Sequence, residues 1–101
     1  MSGVALQQVD LFSADLQGAD LSNSDIGFTD LNSATLNNVN LRNSNLEKAT
    51  LVDADLRGAD LTDTYLKGAD LKRADLRGAK GLPPVAELKK IVKWDAQTKW
   101  P

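Results

Sequence analysis

The sequence contains neither cysteine nor histidine among its 101 residues. The absence of cysteine excludes a disulfide framework and any metal site built on thiolates. The absence of histidine removes the commonest general base and the commonest metal ligand. Apolar runs are also much shorter than the roughly 18 residues that a transmembrane helix needs, so no such helix is predicted.

Acidic and basic residues nearly balance, with a net charge of −2, but they are unevenly distributed. Residues 1–41 contain five Asp and neither Lys nor Arg, for a charge of −5. Residues 42–101 contain 12 basic and 9 acidic side chains, for a charge of +3. The overall charge does not predict a nucleic-acid or membrane partner, and the acids interleaved with the bases oppose phosphate binding.

Large apolar residues recur at every fifth position through most of the chain. They are Leu6, Leu11, Leu16, Leu21, Ile26, Leu31, Leu36, Leu41, Leu46, Leu51, Leu56, Leu61, Leu66, Leu71 and Leu76. A small residue lies two positions before each of them, and the residue between the two is most often Asp or Asn. Such a regular pattern indicates a repeat fold, in which each unit packs only against its neighbours.

Neither regular secondary structure keeps every fifth residue on one side. An α-helix turns by about 100° per residue, so successive leucines would spiral around it. A straight strand alternates sides, so successive leucines would face opposite ways. A chain that turns one corner per repeat satisfies the pattern. We therefore predict that the small residue and the Leu point inward, that the residue between them points outward, and that the other two form the corner.

The corners have the residues that tight turns favour. The second residue after Leu is often Gly or Asn, as at Gly18, Asn23 and Gly58. A type II turn needs a positive φ at its third position, which Gly and Asn tolerate best. Other turn types are expected where this position is Ser13, Ser33, Lys48, Asp53 or Arg73.

The repeat resembles that of the pentapeptide repeat family, whose unit is a small residue, Asp or Asn, Leu and two variable positions. Residues 14–18, 54–58 and 69–73 (ADLQG, ADLRG and ADLKR) match this unit closely. The resemblance covers residues 4–80 and implies a right-handed quadrilateral β-helix with four repeats, or 20 residues, per coil. It therefore implies about four coils in this chain.

Stacking at that period makes two further predictions. Outward residues should form columns, such as Asp10, Asp30, Thr50 and Asp70. Inward hydroxyls need hydrogen-bond partners, and the carbonyls of neighbouring coils are the expected acceptors. The hydroxyl-bearing residues are Ser24, Thr29, Ser44 and Thr64.

The repeat ends near Lys80, where Gly81 and the pair Pro83-Pro84 interrupt it. We predict a second unit, residues 81–101, with an amphipathic helix over residues 85–94 whose apolar face (Val85, Leu88, Ile91 and Val92) caps the last coil. No equivalent cap precedes Val4. The first coil is therefore expected either to be bare or to support a weak dimer of a chain that is otherwise a monomer.

Several surface features allow two interpretations each. The Asp columns could mimic phosphates, or they could solvate the surface and bond nearby backbone, which we favour. The outward aromatic residues Phe12 and Phe28 could mark a contact site, or Phe28 could instead fold over a neighbouring coil or rest near the N-terminal end. The two tryptophans, Trp94 and Trp100, are expected to pack the tail against the solenoid, and a role in an interface is the alternative.

The sequence offers no catalytic, cofactor-binding or metal-binding residues that form a recognisable site, so an enzyme is not expected. The preferred function is a structural or protein-interaction solenoid with an unknown protein partner and no small-molecule substrate. The alternative is a DNA mimic that inhibits or protects a type II topoisomerase, since some family members protect DNA gyrase in this way. This chain departs from such members because it is short and its C-terminal half is not acidic. A cytoplasmic location is expected because the N-terminus has no signal peptide, and an exported or lumenal location is the alternative if a signal has been removed.

Overall fold

The computed structural model describes residues 2–101, in which each repeat stacks on the repeat 20 residues earlier. Residue i forms a parallel bridge with residue i+20, beginning with Ala5 and Asp25 and ending with Asp60 and Lys80. Within residues 2–101 these pairings are single-residue bridges rather than extended strands. The predicted columns are confirmed, because Asp10, Asp30, Thr50 and Asp70 follow one another through successive bridges.

The inward residues form one continuous core. From Leu21 to Leu76 every residue of the leucine position is at most 4% exposed. Most of the small residues in the same coils are equally buried, including Ala34, Ala49 and Ala69 at 0–1%. The assignment of inward and outward positions is therefore confirmed.

Most of the inward hydroxyl groups find the acceptors that the sequence predicts. The hydroxyl of Thr29 donates to the carbonyl of Leu6 at 2.6 Å, and that of Ser44 donates to Leu21 at 2.6 Å. Thr64 makes the same bond in the next coil. Ser24 differs, because its hydroxyl donates to a carbonyl of its own coil, that of Ser22. Polar groups within the core are thus tied to the backbone.

Every corner from the first repeat to the last adopts the same conformation. The second residue after each Leu has a positive φ, whether it is Gly or not. The prediction of other turn types was therefore wrong: φ is 57–61° at Ser13, Ser33, Lys48, Asp53 and Arg73. Two hydrogen bonds impose this geometry, for example from Ala14 N to Leu11 O within the corner and from Ser13 N to Asn32 O in the next coil. They outweigh a local cost of about 1 kcal/mol per residue.

The helix near the C-terminus is much shorter than predicted. Helix α1 spans Val85–Leu88, a single turn, rather than residues 85–94. The amides of residues 89–92 still donate to carbonyls of residues 85–88, but the helix does not reach residue 94 because the backbone beyond them bonds to the solenoid: Gly68 N donates to Ile91 O, and Lys93 N donates to Ala69 O. The predicted apolar face is also wrong in one member, since Ile91 is 41% exposed.

The segment after α1 lies along the last coil. Lys93 forms a parallel bridge with Asp70, and Lys99 forms one with Asp75. Leu88, at 0% exposure, and Val92, at 8%, join the core, and Thr98 donates its hydroxyl to the Leu71 carbonyl at 2.9 Å. The tail thus covers the leucines at the C-terminal end.

Candidate interaction surfaces

The outward Asp and Asn residues share one local function. One carboxylate or amide oxygen of each accepts a hydrogen bond from the backbone N–H two residues later, at 2.9–3.3 Å. The eleven residues are Asp10, Asp15, Asp20, Asp25, Asp30, Asn40, Asn45, Asp55, Asp60, Asp70 and Asp75. These bonds support the interpretation that the columns stabilise the corners, because Asx turns use this geometry.

Acidic side chains in the later coils are neutralised by arginines. The guanidinium group of Arg77 forms two bonds with the Asp75 carboxylate, at 2.7 and 2.9 Å, and lowers the pKa of Asp75 to about 2. Arg57 holds Asp55 in the same way and also lowers its pKa. A third pair joins Arg73 to an Asp of the coil below. The basic residues of this half therefore balance neighbouring acids.

Acidic side chains in the first two coils have no such partners. Between residues 2 and 41 no Asp forms a salt bridge with a Lys or Arg side chain. Asp20 is bonded only to neutral donors, and the Ser22 hydroxyl and amide lower its pKa. The N-terminal end of the solenoid therefore presents uncompensated negative charge.

The first coil leaves its apolar residues partly uncovered. Val4, Leu6, Leu11 and Leu16 are only half-buried, and Val9 is 38% exposed. The residues one coil later that correspond to these leucines are 0–1% exposed: Ile26, Leu31 and Leu36. Because the repeats are otherwise alike, the difference arises from the absence of a preceding layer within residues 2–101.

The backbone of the first coil also has an open edge. In the second coil, Asp25 N donates to Val4 O, and the Asp25 carbonyl accepts from Leu6 N. The corresponding amides of the first coil, those of Ala5, Asp10, Asp15 and Asp20, have no backbone acceptor among the described residues. Open edges of this kind pair readily with other chains. We call this apolar, acidic and unpaired surface the N-terminal end.

The sequence profile of the family Pentapeptide repeats (8 copies) matches residues 1–27, 27–63 and 54–80. The chain belongs to the pentapeptide repeat family. A pentapeptide repeat protein from the thylakoid lumen of Arabidopsis thaliana has 33% identity and a TM-score of 0.56, over 68% of this chain and 55% of its own. This chain thus spans about half the length of that relative. No curated protein sequence matches this chain.

Two further structures extend the comparison. HetL, a pentapeptide repeat protein of Nostoc involved in heterocyst differentiation regulation, is 34% identical over 77% of this chain and 39% of its own, with a TM-score of 0.46. QnrB1, a plasmid-mediated fluoroquinolone resistance protein, is 15% identical over 91% of this chain and 58% of its own, with a TM-score of 0.55. At that identity QnrB1 shows the fold alone. Membership of the pentapeptide repeat family implies a right-handed quadrilateral β-helix.

Exposed aromatic residues occur at two places on this pentapeptide repeat solenoid. Phe12 is 60% exposed, and Phe28 is 52% exposed with the Lys48 ammonium 5.6 Å from its ring centre. Phe28 therefore contacts a side chain of the next coil, whereas Phe12 is the more exposed of the two. Tyr65 replaces an Asp in its column and is 59% exposed.

The tail carries the other aromatic group. Trp94 and Trp100 meet edge to face, with ring centres 6.1 Å apart, and the Lys89 ammonium lies 4.4 Å from the Trp94 ring. Trp100 packs against the core, as predicted, while Trp94 stays 42% exposed. The tail therefore presents an aromatic and cationic surface.

A depression of about 470 Å³, open to solvent, lies beside the tail and is lined by residues 96–99 together with the Asp53–Arg73 ion pair. Between residues 2 and 101, no cluster of acidic side chains is arranged to hold a metal ion. No helix in the same range is long and apolar enough to cross a membrane. Pentapeptide repeat proteins are in general structural repeat proteins rather than enzymes.

Proposed function

We propose that this chain is a non-catalytic protein-interaction module that binds its partner through the N-terminal end. One observation carries the proposal: the leucines of the first coil are half-buried, whereas those of the last complete coil are covered by the tail. Exposed apolar residues beside unpaired backbone groups favour association with another chain. Pentapeptide repeat proteins serve as protein-interaction modules, which agrees with this surface.

We further infer that residues 4–80 form about four coils and that residues 81–101 are a separate capping unit. The 20-residue spacing of the bridges supports the coil number. Burial of Leu88 and Val92 at the end of the leucine stack supports the cap. The cytoplasmic location expected from the sequence stays a prediction, and fractionation of host cells would test it.

The proposed docking surface can be tested by site-specific photo-crosslinking in host cells. A photoreactive phenylalanine analogue replaces Phe12 in the first coil or, as a matched control, Tyr65 in the last. Both side chains are exposed and aromatic, so the substitution leaves the core undisturbed at either position. We expect crosslinks to protein from Phe12 and few from Tyr65. Crosslinks from Tyr65 alone, or none from Phe12, would refute docking through the N-terminal end.

The alternative function, a DNA mimic that acts on a type II topoisomerase, has weaker support. A mimic needs a continuous acidic surface, but Arg57, Arg73 and Arg77 neutralise the later coils. Titration of the protein into a DNA gyrase supercoiling assay separates the two functions. We expect no inhibition up to about 100 μM, which is weaker than ordinary specific binding. Inhibition that disappears when Asp10, Asp15 and Asp20 are changed to Lys would establish the mimic instead.

A further inference from the structure

We propose that the partner of the N-terminal end is a second copy of this chain, which binds there through its C-terminal tail. The copies would then stack head to tail, each continuing the solenoid of the previous one. This inference depends on the proposed function, since it names the occupant of the same surface. Three independent features of the two ends support it: backbone register, charge and exposed apolar side chains.

The backbone at the C-terminal end has unpaired groups to which another layer can bond. Where the tail bridges the last coil at Lys93, the carbonyl of Val92 and the amide of Trp94 have no backbone partner within residues 2–101. The same holds for the Thr98 carbonyl and the Trp100 amide, on either side of Lys99. Between successive coils, groups in these positions form the next bridge, as Val4 O and Leu6 N do with Asp25.

The columns of the two ends correspond. Lys93 continues the column that starts at Asp10, and Lys99 continues the column that starts at Asp15. A second copy stacked in register would therefore place its Asp10 over Lys93 and its Asp15 over Lys99. The new bridges would be parallel, like every bridge inside the solenoid. They would satisfy amides that the first coil leaves unpaired.

Charge favours head-to-tail stacking over a symmetric dimer in which two N-terminal ends meet. Residues 2–20 contain three Asp and no basic residue, for a side-chain charge of −3. Residues 80–101 contain five Lys against Glu87 and Asp95, for a side-chain charge of +3. Opposite charges meet when the copies stack head to tail, whereas two N-terminal ends facing each other would bring acidic groups together.

Apolar surface is available on both sides of the proposed contact. The N-terminal end offers Val9 and the half-buried leucines, and the tail offers Ile91 at 41% and Trp94 at 42% exposure. The two shorter extents of the molecule are 23 and 21 Å, so one end covers on the order of 500 Å². Two such ends bury less than stable complexes do, which predicts weak, concentration-dependent association. Because the contact is heterologous, it produces open chains rather than closed dimers.

The test is sedimentation velocity of the full chain from about 10 μM to 1 mM, a range that suits a contact of this size. We expect the mean mass to rise with concentration and to fall when NaCl is added. Changing Asp10 and Asp15 to Asn should weaken association about tenfold, since it removes two charge pairs. Asn preserves the corners, because Asn40 and Asn45 make the same backbone bond.

A charge exchange gives the decisive comparison. The D10K/D15K and K93E/K99E variants should each stay monomeric, because both ends of each then carry the same sign of charge. Their equimolar mixture should associate again, since each variant complements the other. Melting curves of the separate variants establish that both are folded. If K93E/K99E does not fold, D10K/D15K is mixed with wild type instead. In such a pair the D10K/D15K tail can bind the wild-type N-terminal end, but the wild-type tail cannot bind the D10K/D15K N-terminal end.

Each outcome is informative. A monomer at every concentration, association that salt does not weaken, or a mixture that fails to associate would overturn head-to-tail stacking. If stacking fails but Phe12 still crosslinks to a different protein, the proposed docking surface stands and only its occupant is wrong. A crosslink from Phe12 that gives a product of twice the mass of the chain, and that D10K/D15K does not form, would support both the docking surface and its occupant.

Discussion

The first and the last coils of the solenoid share one repeat pattern but have different environments. Leu71 and Leu76 are each 1% exposed because the tail lies over them. Leu11 and Leu16 hold the same place in the repeat and remain half-buried. The comparison teaches that a pentapeptide prescribes which residues point inward, whereas a neighbouring layer decides whether they are buried.

The largest expected effect comes from removing a leucine with layers on both sides. Leu46 is 0% exposed, so Leu46→Ala should lower the free energy of unfolding by about 3 kcal/mol. Leu11→Ala should cost only about 1 kcal/mol, because solvent already reaches that position. Urea unfolding measures both. Equal losses would show that the first coil is covered in solution, for instance by another copy.

The next effect tests the tail. Leu88 is fully buried, so Leu88→Ala should lower the free energy of unfolding by about 2 kcal/mol and accelerate hydrogen exchange at the amides of Leu71 and Leu76. The last coil would then behave like the first. Ile91→Ala is the control and should change stability by less than about 0.5 kcal/mol, because Ile91 is exposed. An unchanged exchange rate in Leu88→Ala would mean that the tail does not protect this end.

Glycine substitutions compare a corner inside the repeat with the point where the chain leaves it. Gly78 and Gly81 both have positive φ, so changing either to Ala costs about 1 kcal/mol. A Cβ at Gly81 would also overlap the backbone of Thr62, whereas one at Gly78 meets only ordinary contacts. Gly81→Ala should therefore be the more destabilising by about 1–2 kcal/mol in thermal unfolding. Equal melting temperatures would contradict the close approach at Thr62.

The smallest effect concerns charge in the C-terminal half. Arg77→Gln should reduce stability at pH 7 only slightly, because exposed ion pairs contribute little. The pKa of Asp75 is depressed to about 2, so the pair contributes fully above the unfolded pKa near 4 and is lost as pH falls through 2. The difference between variant and wild type should vanish below that pH. A difference that persists at pH 1 would assign the effect to packing of the arginine.

Local sequence reasoning succeeded where one repeat suffices to decide the outcome. The inward leucines, the columns and the acceptors of Thr29, Ser44 and Thr64 were predicted and are confirmed. It failed where layers compete with local preference. Lys48 and Asp53 adopt the positive φ that their side chains disfavour, and the helix stops short of residue 94 because Ile91 O and Lys93 N bond to the last coil.

The docking surface shows the same division. Negative charge near the N-terminus and lysines near the C-terminus can be counted in the sequence. The sequence does not reveal that Lys93 and Lys99 extend the columns of Asp10 and Asp15, because the spacing of these residues in the tail departs from the period of five. The register becomes visible only once the tail is placed on the last coil.

The sequence by itself determined the period, the inward face and the charge of each end, since these follow from which residues recur at which spacing. The tertiary structure alone decided which leucines are covered, which corners accept an unfavourable φ and which backbone groups remain unpaired. The physical reason is that hydrogen bonds and burial between coils join residues 20 or more positions apart. Their energy belongs to the stack of layers and not to any single repeat.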